Sequence, residues 1–138
     1  MIVYYLLDTN TVSYIVRGRS ANARAMLSAL KEDEVACISS ITEAEIRYGL
    51  TKNASAHVLR AAVEAFLAKI KVLPWGRDEA RAYGELRAKL ETAGKSLGNL
   101  DMLIAAHAIS TGAVLVTNDR VLLKVESLRG AVNWATDV

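Results

Sequence analysis

Residues 2–10 have the sequence Ile-Val-Tyr-Tyr-Leu-Leu-Asp-Thr-Asn, and this stretch decides the fold prediction. An unbroken run of apolar, β-branched and aromatic residues is typical of a strand that is buried on both faces, as in a parallel sheet. The polar triplet at 8–10 ends the run and is suited to a turn that starts a helix. The segment therefore predicts a strand–turn–helix unit with Asp8 at the carboxyl end of the strand.

The same alternation continues along the chain. Further strands are predicted at 35–38, 72–73 and 113–116, with an edge strand at 132–134. Apolar residues at helical spacing predict helices over 21–30, 40–51, 54–70, 77–92 and 101–110, and a short helix after residue 119. Strands separated by helices of this length indicate βαβ units. The expected fold class is therefore α/β: a three-layer α/β/α sandwich around a short, mostly parallel sheet of four or five strands.

The composition fits one globular domain over residues 1–138. Hydrophobic residues make up 52% of the chain and charged residues 23%, which excludes a disordered protein. The first apolar run is far shorter than the ~20 residues of a membrane span, and it lacks the basic lead of a signal peptide. Cys37 is the only cysteine, so no intramolecular disulfide can form. A cytoplasmic protein without membrane association is expected.

Three acidic residues occupy positions that suggest chemistry. Asp8 and Asp119 each follow an apolar strand, and ligands of parallel sheets bind at the carboxyl ends of strands. One aspartate there is also ordinary helix-cap chemistry, but two at corresponding strand ends are harder to explain in this way. Asp101 lies in the first turn of the most apolar helix, with Asn99 as the expected N-cap. No Lys or Arg lies between residues 96 and 119 to pair with it.

Glu43 and Glu45 compete to supply a fourth carboxylate. With Ser40 as N-cap, Glu43 completes a capping box, and it precedes Arg47 by four residues, the order that favours an ion pair. Glu45 has no such local role, and it shares a helix face with Tyr48 that is expected to meet packed structure. Glu43 is therefore assigned to structure and Glu45 to the site.

The four carboxylates of Asp8, Glu45, Asp101 and Asp119 cannot all stay ionised in one pocket without a cation. Oxygen ligands alone select a hard ion, so Mg²⁺ is expected, with Mn²⁺ able to replace it. Once these four charges are neutralised, the 17 basic residues clearly outnumber the remaining acids among the 15 of the chain. That surface favours a polyanionic partner.

Four segments taken together resemble the PIN-domain family. They are Leu-Leu-Asp-Thr-Asn at 6–10, Ser-Ser-Ile-Thr-Glu-Ala-Glu-Ile-Arg-Tyr-Gly at 39–49, Asp-Met-Leu-Ile-Ala-Ala-His-Ala at 101–108 and Val-Thr-Asn-Asp at 116–119. Within this family the chain is similar to VapC-type toxins, the ribonuclease half of type II toxin–antitoxin pairs. The resemblance spans residues 2–134. It departs at Leu122 and Ser127, where many relatives carry an aromatic residue and a glycine.

The resemblance implies a catalytic, metal-binding set on the same four acidic residues. It places the family's supporting polar residues on Asn10, Thr42, Thr117 and Asn118. The implied reaction is cleavage of RNA by a metal-activated water, leaving a 5′-phosphate and a 3′-hydroxyl. The implied partner is a small VapB-like antitoxin, through which the protein would meet DNA only indirectly.

Further expectations concern the surfaces. Four basic residues near the predicted site are candidates for contacts with RNA phosphates: Arg17, Arg19, Lys95 and Arg120. Broad apolar faces on 11–16 and 54–70 predict a homodimer. The side chains of Val12, Ile15 and Val16 are expected to anchor an antitoxin peptide that places an Arg or Lys against the carboxylates.

Three other functions stay open from the sequence. One is a free-standing PIN-type RNA-processing nuclease, and another is a non-catalytic binding module whose acidic residues only cap helices. The third is a metal-dependent phosphatase or a receiver-like phosphoacceptor. A receiver needs an acidic pair at the first strand and a lysine after a late strand, and the chain has neither at these places.

Overall fold

Five parallel strands form the sheet of the computed structural model, which describes residues 1–138. The strands are β1 (Val3–Leu7), β2 (Glu34–Ser39), β3 (Lys71–Leu73), β4 (Val114–Val116) and β5 (Ala131–Val132). Their order across the sheet is β3-β2-β1-β4-β5, and every neighbouring pair is parallel. Each strand lies within one or two residues of its predicted position.

Six α-helices connect the strands. They are α1 (Thr9–Val16), α2 (Ala21–Ser28), α3 (Ser40–Lys52), α4 (His57–Lys69), α5 (Arg77–Thr92) and α6 (Asn99–Thr111), and a 3₁₀-helix at Leu122–Lys124 follows β4. Gly112 ends α6 in the left-handed conformation, with φ of 70°, which a glycine adopts without steric cost. None of the helices combines the length and hydropathy that crossing a bilayer requires.

The sheet is covered on both faces, so the predicted three-layer architecture is confirmed. Consecutive strand residues point to opposite faces, which divides the central strands between two cores. One core contains Leu6, Cys37 and Leu115 and packs against α5, α6 and the 3₁₀-helix. The other contains Leu7, Ile38 and Val116 and packs against α1, α2 and α4. Burial raises the pKa of the Cys37 thiol to about 12, which makes this residue an inert part of the core rather than a nucleophile.

The strand order places a topological switch point between β1 and β4. From β1 the chain moves to β2 and β3 on one side of the sheet, then crosses back to β4 on the other side. The amide of Asp8 donates to the carbonyl of Val116 at 3.0 Å, so the carboxyl ends of the two strands adjoin. Open α/β sheets bind ligands in the crevice at this point.

The predicted N-caps of two helices were wrong by one residue. Ser39, not Ser40, caps α3, and its Oγ accepts from the Ile41 amide at 3.1 Å. Ser40 Oγ is used elsewhere, because it accepts from the Trp75 amide at 3.1 Å. The expected capping box with Glu43 is therefore absent.

Gly98, not Asn99, precedes the first helical residue of α6, because the Gly98 carbonyl already accepts from the Met102 amide at 2.9 Å. This places Asp101 at the third helical position. Asp101 therefore remains in the first turn, as predicted, although the cap lies one residue earlier.

The apolar faces on 11–16 and 54–70 that predicted a homodimer pack mostly against other parts of the same chain. Val12 and Ile15 are buried in the core beside α1, α2 and α4, and Val63 of α4 is buried as well. Tyr48 is 67% exposed, so the expectation that its helix face meets packed structure was wrong for this residue. Val58 is 87% exposed and is the main apolar residue left open on α4. The homodimer stays a prediction, with a smaller apolar surface than expected.

Candidate active site

Asp8 lies at the switch point and is only 3% exposed. It is the N-cap of α1, where its Oδ1 accepts from the Thr11 amide at 2.8 Å. Burial raises the pKa of Asp8, hydrogen bonds from Thr117 and Thr11 oppose the rise, and the charge of Asp119 adds to it. Asp8 is thus a helix cap and also a buried carboxylate that the charge of Asp119 repels.

Asp119 follows β4 and holds the turn that leads into the 3₁₀-helix. Its Oδ1 accepts from the amides of Val121 at 2.8 Å and Leu122 at 3.1 Å. Its own amide donates to Thr117 Oγ1 at 3.0 Å. Thr117 therefore supports Asp119, and its hydroxyl also lowers the pKa of Asp8.

Asp101 joins these residues from the first turn of α6. Burial raises its pKa, and the negative charges of Asp119, Asp8 and Glu45 raise it further. The carboxylates predicted from four separate segments thus lie close enough to repel one another. None of them forms an ion pair with a Lys or Arg.

Glu45 is held by a residue that the sequence analysis did not select. Thr9 Oγ1 donates to Glu45 Oε1 at 2.7 Å, and the hydroxyl of Thr42 lies 3.3 Å from the same Thr9 oxygen. Thr9 belongs to the triplet that follows β1, in which the sequence predicts Asn10 as the supporting residue. Asn10 is exposed. The one feature of the sequence that indicates a role for Thr9 is its position directly after the strand-end aspartate.

The other supporting residues have distinct environments. Thr42 and Thr117 are fully buried. Asn118 reaches across to α1, where its Nδ2 donates to the Tyr14 hydroxyl at 3.2 Å. Glu43 lies outside this set, because it pairs with Arg47 at 2.6 Å on the surface of α3, as the sequence predicted.

The four basic residues proposed for RNA contacts do not form one patch. Arg17 lines a groove of about 150 Å³ together with Thr9 and Glu45. Lys95 and Arg120 line a separate depression of about 460 Å³. Arg19 is exposed and lines neither.

The groove beside Glu45 differs from the one that was predicted. Val12 and Ile15 face the core and are buried, because the sheet covers this side of α1. Of the three expected anchor residues only Val16 lines the groove, where it is joined by Ile46 and Leu59. The apolar wall is therefore built by three helices rather than by α1 alone.

The donor set suits a hard divalent cation. Asp101 has no hydrogen bond to either carboxylate oxygen, while Glu45 and Asp119 each use one oxygen and keep the other free. In the arrangement seen here, no three of these side chains are close enough together to hold one ion, so binding requires their rearrangement. The oxygen chemistry and the absence of basic partners both fit Mg²⁺ or Mn²⁺.

Comparison with known proteins identifies the family of this chain. The PIN-domain model matches residues 5–128, and the chain belongs to the PIN-domain family. It is 37% identical to Ribonuclease VapC2 of Haemophilus influenzae over 132 residues, which cover 94% of this chain and 97% of that protein. It is 34% identical to the tRNA(fMet)-specific endonuclease VapC of Shigella flexneri over 115 residues, or 83% and 86% of the two chains.

A solved structure shows the same architecture. VapBC2 from Rickettsia felis, bound to a DNA fragment from their promoter, superposes with a TM-score of 0.88 at 32% identity. The match covers 96% of this chain and 99% of that one. The family resemblance and the fold class predicted from the sequence are therefore confirmed.

Proposed function

We propose that this protein is a VapC-type toxin, a metal-dependent endoribonuclease restrained by a VapB-like antitoxin, with residues 1–138 acting as one PIN-like nuclease domain. The observation that carries the proposal is the meeting of four carboxylates without basic partners at the switch point of the sheet. The names of the relatives, ribonuclease and endonuclease, support RNA as the substrate.

Asp8, Glu45 and Asp101 would hold the Mg²⁺ or Mn²⁺ ion, with Asp119 completing the site. The bound ion supplies a water of lowered pKa and neutralises charge that develops on the phosphodiester. The chain's own contribution is orientation. Thr9 fixes one oxygen of Glu45, and the Thr117 hydroxyl accepts from the Asp119 amide, so part of the donor set is oriented before the ion binds.

The groove beside Glu45 suits the antitoxin. Glu45 lines it together with Val16, Ile46 and Leu59, so the groove offers a place for one apolar side chain and one cation. An Arg or Lys of the antitoxin would offset the repulsion among the carboxylates. Contact with DNA would come through the antitoxin, which agrees with the DNA-bound VapBC2 complex.

A homodimer and a cytoplasmic location complete the proposal. The exposed side chains of Tyr48 and Val58 are the remaining apolar support for self-association. Light scattering at micromolar concentration tests the dimer, and a monomeric mass without the antitoxin contradicts it.

Cleavage of a total tRNA and mRNA preparation in Mg²⁺ or Mn²⁺ tests the catalytic proposal. We expect products with a 5′-phosphate, no cleavage in EDTA, and a loss of activity of at least about 100-fold in Asp8→Asn. Cleavage that persists in EDTA contradicts a metal-dependent mechanism. Absence of both cleavage and a Mn²⁺-induced thermal shift would favour a non-catalytic module.

Co-purification with the product of an adjacent small gene tests the antitoxin. We expect an inhibited complex whose inhibition is relieved by Arg/Lys→Ala changes in the partner. A tight complex that is indifferent to these changes contradicts cation substitution, and a cleaving protein with no partner favours a free-standing RNA-processing nuclease.

A further inference from the structure

A second depression, separate from the groove beside Glu45, lies between the last turns of α5 and the segment after Asp119. Its volume is about 460 Å³, within the about 300–1,000 Å³ typical of small-molecule sites. Apolar side chains form its wall: Leu86, Leu90, Val121 and Val125. Val121 is 48% exposed, so part of this apolar wall is open to solvent.

Basic side chains surround the apolar wall. They are Lys89, Lys95, Arg120 and Lys124, and none of them forms an ion pair. The only acidic residue of the lining is Glu126. The dipole of α5 accounts for Lys89 in its last turn, but not for the other three. The depression therefore suits a ligand with an apolar face and several negative charges.

The depression adjoins the candidate active site through the segment that follows Asp119. Asp119, which faces Asp8, accepts hydrogen bonds from the Val121 and Leu122 amides and so fixes the segment that forms one wall. Arg120 directly follows Asp119 in the chain. A ligand in the depression would thus contact the segment that Asp119 holds in place.

We propose that this depression binds one nucleotide of the RNA strand beside the cleaved phosphodiester, with its base against the apolar wall and its phosphates on the four cations. The inference rests on the proposed function, because it extends the same substrate from the carboxylates into the depression. Unpaired RNA bases turn outward and pack on protein surfaces, while the phosphates follow basic side chains. A fatty acid has similar chemistry, but the adjacency of Arg120 to Asp119 in the chain favours the substrate of the active site.

Binding of a fluorescent 12-nucleotide single-stranded RNA tests the cationic rim. An Asp8→Asn background keeps the RNA intact. In about 0.1 M salt, Lys89→Gln with Lys124→Gln should weaken binding about tenfold, and the slope of log K against log salt should flatten by about 1.4, or about 0.7 per phosphate. The matched control, Lys31→Gln with Lys69→Gln, removes two exposed lysines elsewhere and should change binding less than twofold.

A series of abasic RNAs tests the apolar wall. Removing the base at one position of the 12-mer should weaken binding to the Asp8→Asn protein about tenfold, and Val121→Asp should abolish that difference. The unfolding midpoint of each variant shows whether it is folded, and Val121→Ala provides a milder change. Equal binding of every abasic RNA, together with lysine variants that match their control, overturns the inference.

The outcomes separate this inference from the proposed function. If the wild-type protein cleaves RNA and the depression variants bind and cleave like their controls, only the inference fails. If no RNA is cleaved but the lysine and abasic effects remain, the proposed catalysis fails and the nucleotide site stands. A fluorescent fatty acid that binds here and is not displaced by RNA assigns the depression to an amphiphile and overturns the inference.

Discussion

Thr9 and Glu45 are joined by a hydrogen bond of 2.7 Å between Thr9 Oγ1 and Glu45 Oε1, across 36 positions of the sequence. The bond connects the first residue of α1 to the middle of α3, and Thr42 lies beside it at 3.3 Å. A glutamate side chain loses up to about 1.5–2 kcal/mol of rotamer entropy when it is fixed. Thr9 fixes it before metal or RNA arrives, so we assign Thr9 a positioning role.

Thr9→Val should lower kcat for RNA cleavage about tenfold and leave KM nearly unchanged, because it removes the hydroxyl and keeps the shape of the side chain. Thr9→Ser retains the hydroxyl and should restore most of the activity. Thr51→Ala, on the exposed part of α3, is the matched control. Equal kcat values in the Val and Ser variants would contradict the positioning role.

Glu45→Gln should lower cleavage by at least about 100-fold, while Glu43→Gln should leave it nearly intact. The two substitutions remove one charge each from the same helix, but only Glu45 faces Asp101, whereas Glu43 pairs with Arg47 at the surface. Loss of that exposed pair should leave the urea-unfolding midpoint nearly unchanged, because solvent screens surface ion pairs. The reverse order of activities would show that the assignment of the two glutamates is wrong.

The sequence predicts the sheet and its acidic edge because both depend on short segments. The apolar runs that end at Asp8 and Asp119 determine two adjacent strands, and parallel strands bring their carboxyl ends to one edge. The choice of Glu45 over Glu43 depended partly on the ion pair predicted between Glu43 and Arg47, and the structure confirms that ion pair. The roles of the four acidic residues stay predictions.

Contacts between distant segments were not predictable in the same way. The hydrogen bond from Thr9 to Glu45 depends on how α1 and α3 pack, and the hydrophobic periodicity of the sequence does not predict that packing. Ser39 displaces Ser40 as N-cap while its hydroxyl also contacts His107 Nδ1 at 2.8 Å, from 68 positions away. Three helices build the apolar wall of the groove. The prediction from α1 alone therefore placed Val12 in the groove, whereas it is buried in the core.

Asp101→Asn should stabilise the metal-free protein. The raised pKa of Asp101 means that its ionised form is disfavoured in the folded state, so protonation stabilises the fold at low pH and this contribution is lost as pH rises. Removing the charge at pH 7 should therefore raise the Tm measured in EDTA, because it also removes the repulsion from Asp119, Asp8 and Glu45.

Added Mn²⁺ should reverse this ranking. It stabilises a protein that binds it by mass action, so the wild-type Tm should rise with Mn²⁺ concentration while that of Asp101→Asn stays flat. Asp78→Asn removes an exposed first-turn carboxylate of α5 and serves as the control. A lower Tm for Asp101→Asn in EDTA, with an unchanged response to Mn²⁺, would contradict a metal-binding role for this residue.

Buried polar residues behind the site should make the fold sensitive to acid. His107 is 1% exposed, and burial lowers its pKa below the ordinary value of 6.5, against the opposing charge of Glu79. Burial alone would raise the pKa of Glu79, but hydrogen bonds from Ser110 and the Gly76 amide outweigh it, so the pKa of Glu79 is lowered from 4.5. In both cases the unfolded chain binds protons more readily than the folded one.

The stability from neutral His107 is therefore present above about pH 7 and is lost as pH falls below 6.5, whereas the contribution of ionised Glu79 is lost only below about pH 5. Urea unfolding in EDTA between pH 7.5 and 5 should show this first loss as a falling free energy of unfolding, and His107→Gln should remove it. His57→Gln, at an exposed position, is the matched control. Because Asp8 and Asp101 have raised pKa values and shift stability in the opposite direction, the slope difference between His107→Gln and wild type is the decisive quantity. Identical slopes would show that His107 does not titrate on unfolding in this range.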